Sequence, residues 1–167
     1  MERIAVFAGS FDPFTIGHRD VAERACAIFD RLIILIANNI NKKTFFSAEE
    51  RAEFAKKAMA DFSQASVEIW DGLTVDYLQK NNIKFLVRGV RGVSDLEWEQ
   101  AVAWNNAKFL PGTETIFLSS KPEHLGISSS LARELLKFKK DVSSFAFASP
   151  FVYRNSTSSP TPKSKHR

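Results

Sequence analysis

The stretch "GSFDPFTIGH", Gly9 to His18, follows directly on the apolar run "IAVFA" and runs into a helical pattern. Two glycines, two hydroxyls, an Asp-Pro pair and a histidine are unusual material for a loop between packed elements. Ile4–Ala8 reads as a buried strand and Gly17–Phe29 as a helix, so the stretch is a strand-to-helix turn. Gly9 allows a close backbone approach, and Asp12-Pro13 is turn chemistry. Gly17 and His18 fall where a helix offers unpaired N–H groups and the positive end of its dipole, a place that favours an anion. Ser10 and Thr15 add hydroxyl donors. The plainer reading is a tight turn whose histidine caps or packs. Neither G-x-x-x-x-G-K-[ST] nor G-x-G-x-x-G occurs in the chain, so the common phosphate-loop and dinucleotide fingerprints are excluded.

Working outward, strand and helix signals alternate. "RLIILIA" (31–37) is a second strand, continuous rather than alternating, as expected where both faces of a sheet are covered. Ser47 and Glu50 make a capping box opening a helix to Met59, with Ala48, Ala52, Ala55 and Met59 on one face. Strands follow at 66–70, 84–89 and 114–120, and helices at 75–81, at 95–109 with Ser94 as N-cap, and at 129–138. A last short helix is expected at 149–155, with Ser149 capping and Pro150 in the first turn. The alternation predicts a single-domain α/β fold: a Rossmann-like open parallel sheet of five strands with helices on both faces. Ligands in such sheets bind beyond the carboxyl ends of the strands.

The chemistry-bearing residues follow the strands. After strand two, "NNINKKTFF" (38–46) carries Lys42 and Lys43, either solvated charges or movable cations for a phosphate. After strand four, "VRGVRGVSDLEWEQ" (87–100) places Arg88 and Arg91 around Gly89 and Val90. Arginine's fork suits phosphate oxygens. Asp95 and Glu99, one helical turn apart, can hold magnesium, a ribose hydroxyl or these same arginines. After strand five, "HLGISSSLARELL" (124–136) brings three serines into a helix start where one would cap it, with Arg133 one turn further in. His124 either borders a base or lies on the surface. Trp70, Trp98 and Trp104 read as core or interface.

The totals set bounds. A chain of 167 residues with 44% hydrophobic and 25% charged content is one ordinary soluble domain. One cysteine, Cys26, excludes an internal disulfide and suits a reducing cytoplasm. The longest apolar run, "LIILIA", is a strand's length, and no signal-peptide pattern opens the chain. The net charge is +4, but Lys163, Lys165 and Arg167 sit in the acid-free tail "STSSPTPKSKHR", which leaves the rest near +1. The reading is a domain over 1–155 and a flexible basic tail over 156–167. Nucleic-acid binding would use that tail, yet the arginines stand at strand ends rather than in a stripe with stacking aromatics.

"GSFDPFTIGH" resembles the T-x-G-H nucleotidyltransferase signature, and "RGVRGVSDLEWE" with "ISSSLAR" resemble its phosphopantetheine adenylyltransferase members, a likeness running from Arg3 to Phe145. The resemblance implies transfer of the adenylyl group of ATP to 4′-phosphopantetheine, giving dephospho-coenzyme A and pyrophosphate. It also implies magnesium, feedback binding of coenzyme A, a cytoplasmic location and a homohexamer. Carried over residue by residue, Ser10, His18, Lys42 and Arg91 form the catalytic set. Ser10, Lys42 and Arg88 hold the phosphopantetheine phosphate, with Thr74 near its arm. ATP is lined by Ser10, Phe11, His18, Gly89, Val90, Arg91, Glu99 and the run His124, Leu125, Gly126, Ile127, Ser128, Ser129, Ser130. The chain departs from the family at Ile16, where a polar residue is common, and at Gly126, where an aromatic is common. A nicotinate-nucleotide or polyol-phosphate nucleotidyltransferase of the same superfamily is the nearest alternative.

Overall fold

A computed structural model of the chain describes residues 2–38 and 43–148. Five strands form one parallel sheet: β1 (Ile4–Gly9), β2 (Arg31–Ala37), β3 (Ala65–Trp70), β4 (Phe85–Val90) and β5 (Glu114–Ser119), ordered β3-β2-β1-β4-β5. The helices are α1 (Ile16–Ile28), α2 (Ala48–Ala58), α3 (Thr74–Lys80), α4 (Val93–Phe109) and α5 (Ser129–Lys137), with a 3₁₀ turn over Pro122–His124.

Beyond Arg31, β1 and β2 are apolar because each face meets a different layer. Ala5 and Phe7 of β1 and Leu32, Ile34 and Ile36 of β2 pack with α1, α2 and Ala132 and Leu136 of α5. Val6, Ala8, Ile33 and Leu35 point to the other face, toward Tyr77 and Leu78 of α3 and Leu86 of β4. The edge strands β3 and β5 are partly exposed, as their mixed composition requires.

From β1 the chain winds outward to β3, then crosses back over β2 and β1 to enter β4 on the other side of β1. Right-handed crossovers therefore put α1 and α2 on one face and α3 and α4 on the other. The carboxyl ends of β1 and β4, paired from Ala5↔Phe85 to Phe7↔Val87, become the point where strand order reverses and a crevice must open.

One expected helix start differs. Helix α4 starts at Val93, with Gly92 and not Ser94 at the cap position. The Asp95 carboxylate accepts the Arg91 backbone N–H at 3.0 Å, and this bond sets the entry where a serine hydroxyl was expected to. The helix expected at 149–155 and the basic tail lie outside the described residues, as does Lys42.

At the end of β1 the chain turns sharply. Phe11 has φ 47°, a left-handed conformation for a bulky residue, and its ring lies under Gly9, so that a Cβ there would stand 2.9 Å from the ring. Phe11 is buried against Phe7, Phe14 and His18 and cannot swing away. Gly9→Ala is expected to cost about 1–3 kcal/mol in urea unfolding; stability equal to the parent would show that the ring has room.

Candidate active site

The crevice beyond β1 and β4 is a cleft of about 370 Å³ whose walls come from the ends of β1, β4 and β5 and the starts of α1, α4 and α5. Ser10, Phe11, His18, Arg88, Gly89, Arg91 and Glu99 line it, and so do His124, Ile127, Ser128, Ser129 and Ser130. The other expected residues stand elsewhere. Val90 is buried inside the sheet, Leu125 is half exposed, and a side chain built on Gly126 would meet nothing within 4 Å. Thr74 lines an adjoining groove of about 330 Å³ that shares Ala8 and Arg88 with the main cleft.

His18 is held by its own helix. Thr15 caps α1: its hydroxyl accepts the His18 backbone N–H at 3.3 Å, while Nδ1 of the His18 ring accepts the Thr15 backbone N–H at 3.0 Å. The pair is a capping box in which an imidazole nitrogen takes the acceptor role usually filled by a glutamate. Because Nδ1 accepts, the neutral ring carries its proton on Nε2. Phe11 and Phe14 pack against the ring at 5.1 and 5.3 Å between centroids. Burial, then the positive charges of Arg91 and Arg88, push the His18 pKa down from 6.5 to about 4. At neutral pH it is an uncharged N–H donor in a positive setting.

The arginines are fixed differently. Arg88 makes a two-pronged pair with buried Glu99, Nε to Oε2 at 2.7 Å and Nη2 to Oε1, and donates Nη1 to the Ala8 carbonyl. Of the three roles open to Glu99, the structure shows it orienting an arginine. Two of the five guanidinium N–H groups remain for a ligand. Arg91 is half exposed beside Asp95, 4.0 Å away, and is the less tightly paired of the two.

At α5 the three serines divide the work. Ser128 caps the helix through the Leu131 N–H at 3.1 Å, Ser129 donates to the Pro13 carbonyl at 2.9 Å, and Ser130 accepts from Arg133 at 3.0 Å. The two extra hydroxyls brace the turn, and the first-turn backbone N–H groups of α5 are what the helix offers an anion. His124 is half-buried in the cleft wall rather than on the surface, and its Nδ1 has no hydrogen-bond partner among the described residues. Lys43, Asp12, Thr15, Ser120 and Arg133 also line the cleft. Of these, the sequence offers Thr15 as a hydroxyl donor and Lys43 as a candidate phosphate cation, gives Asp12 and Arg133 only as neighbours of the motifs, and gives Ser120 only as the end of a strand.

The cleft concentrates donors. Lys43, Arg88, Arg91 and Arg133 bring positive charge, and the starts of α1 and α5 add their dipoles. Among the described residues no group of three His, Cys, Asp or Glu is placed to hold a metal ion. Such a site suits polyanionic phosphates more than general acid–base chemistry. A pH dependence follows from His18. Its folded pKa lies below its unfolded value, so the unfolded chain takes up a proton first as pH falls, and stability is lost between pH 6.5 and about 4. His18→Gln is expected to flatten that part of the urea-unfolding profile; an unchanged slope would contradict the assignment.

The family model described as Cytidylyltransferase-like matches residues 6–135. A phosphopantetheine adenylyltransferase of Phocaeicola vulgatus is 47% identical over 143 residues, covering 86% of this chain and 94% of that protein. One from Ralstonia nicotianae is 42% identical over 146 residues, covering 87% of each. Among solved structures, a Plasmodium falciparum nicotinic acid mononucleotide adenylyltransferase in complex with NaAD shares the fold at a TM-score of 0.61 and 18% identity, covering 86% of this chain and 88% of that one. A bifunctional NMN adenylyltransferase/ADP ribose pyrophosphatase from Francisella tularensis aligns at 0.65 and 18%, covering 89% and 46%. No described helix is long and apolar enough to cross a membrane. With relatives this similar along nearly their whole length, the chain belongs to the cytidylyltransferase-like family, among its phosphopantetheine adenylyltransferases.

Proposed function

We infer that the chain transfers the adenylyl group of ATP to 4′-phosphopantetheine, releasing pyrophosphate and forming dephospho-coenzyme A, the penultimate step of coenzyme A synthesis. The observation that carries this reading is the convergence of neutral His18, Arg88, Arg91 and the start of α5 on one cleft at the β1/β4 strand ends.

An oxygen of the acceptor phosphate attacks the α-phosphorus of ATP in line. The bond from that phosphorus to the α–β bridging oxygen breaks, and the electron pair leaves with pyrophosphate. The attacking phosphate is already anionic, so no general base is needed, and positioning with electrostatic stabilisation is most of the task. His18 donates through Nε2 to a non-bridging α-oxygen, which its neutral state allows without a proton changing hands. Ser10 and Lys42 are assigned to the reacting phosphates, and Arg91 to those of ATP. Arg88, aimed by Glu99, holds the acceptor phosphate at the junction of the two cavities. From there the groove past Thr74 gives the pantetheine arm a mostly apolar channel, with Asn105 and Asn106 facing its amides. The wall formed by His124, Ile127, Ser128, Ser129 and Ser130 is assigned to the nucleotide.

Magnesium is assigned to the nucleotide, where it would be held by the ATP phosphates and would supply charge neutralisation for the pyrophosphate leaving group. The donor set favours this, since Glu99 pairs with Arg88 and Asp12 with two backbone N–H groups. Coenzyme A, which carries the same arm, would compete for the Thr74 groove as a feedback ligand. A cytoplasmic homohexamer completes the reading. Helix α4, which exposes Val93, Trp98, Trp104 and Phe109 at 70% or more, supports the part of this reading that asks for a surface between copies.

Incubation with ATP, magnesium and 4′-phosphopantetheine should give dephospho-coenzyme A by mass spectrometry. Product from nicotinate mononucleotide instead would contradict the acceptor. His18→Ala is expected to lower kcat by about 10²–10³ with a far smaller change in KM; unchanged turnover would refute its role.

A further inference from the structure

Helix α2 holds a buried cation that this mechanism leaves without a task. Arg51 is fully buried, on the same face as Ala48, Ala52 and Ala55. Its guanidinium donates from Nη1 to the Ser10 carbonyl at 2.7 Å and the Ala37 carbonyl at 3.3 Å. Nη2 reaches Asn38 Oδ1 at 2.9 Å, and Nε the Ser47 carbonyl at 3.2 Å. All four acceptors are uncharged. They belong to three segments: the end of β1, the end of β2 and the cap of α2. Two residues past Ser10, buried Asp12 accepts the Phe45 N–H at 2.8 Å and the Phe46 N–H at 2.9 Å.

Burying a guanidinium against neutral acceptors is expensive, and an apolar side chain would fill the space at lower cost. What an apolar side chain lacks is the ability to tie separate backbones together. Asn38 and Phe45–Phe46 flank the stretch that contains Lys42 and Lys43, and both flanks are bonded to the Ser10–Asp12 turn. One flank is held through a cation and the other through a carboxylate.

We propose that Arg51 and Asp12 are paired positioning residues, a clamp that holds Asn38 on one side and Phe45–Phe46 on the other against the Ser10–Asp12 turn, so that Lys43 and the donors of the Ser10–His18 stretch face the same cleft. The proposal rests on the adenylyl-transfer reading. Neither residue needs to touch the reacting atoms. Lysine cannot replace Arg51, because one ammonium cannot span acceptors on three segments. Asparagine cannot replace Asp12, because its amide NH₂ would face one of the two N–H donors.

The test uses the full chain with Arg51→Lys and Asp12→Asn, read two ways. Steady-state assays with ATP and 4′-phosphopantetheine, corrected for the folded fraction, should show kcat lowered about 100-fold with KM moved far less, the signature of misplaced reactants. Amide exchange followed by mass spectrometry should rise in both 9–18 and 43–47 in each variant, although Arg51 bonds neither Phe45 nor Phe46. Full kcat per folded molecule, or exchange raised in one segment alone, would overturn the clamp. Should Arg51→Lys fail to fold, Asp12→Asn, which leaves Arg51 in place, decides by the same criteria. A wild-type protein inactive on these substrates would sink the functional reading, while the exchange measurement would still judge the clamp.

Discussion

Parallel pairing of β1 with β4, two strands separated in sequence by more than seventy residues, is the constraint on which everything else in the molecule depends. Their register sets Ala8–Ser10 beside Arg88–Arg91, while the helices that follow leave on opposite faces. Among the described residues no side chain fills the gap that results. The sheet thereby produces a cleft, and the loops need only line it. Close packing maintains the pairing: a Cβ on Gly89 would lie 3.1 Å from Val21 of α1, so glycine lets helix and strand approach at the mouth of the cleft.

Within that frame, local chemistry decides charge. An imidazole used as a capping acceptor directs the His18 N–H outward, burial and the neighbouring Arg91 and Arg88 keep the ring neutral, and a buried glutamate aims Arg88. Asp20 does similar work further out, holding Lys121 at 2.6 Å and Arg24, and so fastening the loop after β5 to α1. The carboxylates near the cleft are tied to cations or backbone N–H groups. This leaves an incoming polyphosphate to face donors.

Much of this was legible in the sequence, for identifiable reasons. The strands showed because central parallel strands are apolar on both faces, as "RLIILIA" is. The site showed because glycine, hydroxyl and basic residues recur after successive strands. Arg51 was missed although a signal existed: an arginine between Ala48 and Ala55 occupies an apolar-face position, and only a set of backbone acceptors could justify it. Asp12 read as a turn residue because its bonds go to amides more than thirty positions away. The start of α4 was misplaced because local capping preference favoured Ser94, whereas Asp95 captures the Arg91 amide. Trp98 and Trp104 read as core or interface; both are exposed on α4, which excludes the core.

The central claim is that one positively polarised cleft at the β1/β4 strand ends receives both phosphates. A crystal structure with an ATP analogue whose α–β bridging oxygen is replaced by methylene tests it most directly. The account predicts the α-phosphate within hydrogen-bond distance of His18 Nε2, with the first turn of α5 on the nucleotide phosphates. A nucleotide bound anywhere else on the molecule, or with its α-phosphate turned away from His18, would contradict it.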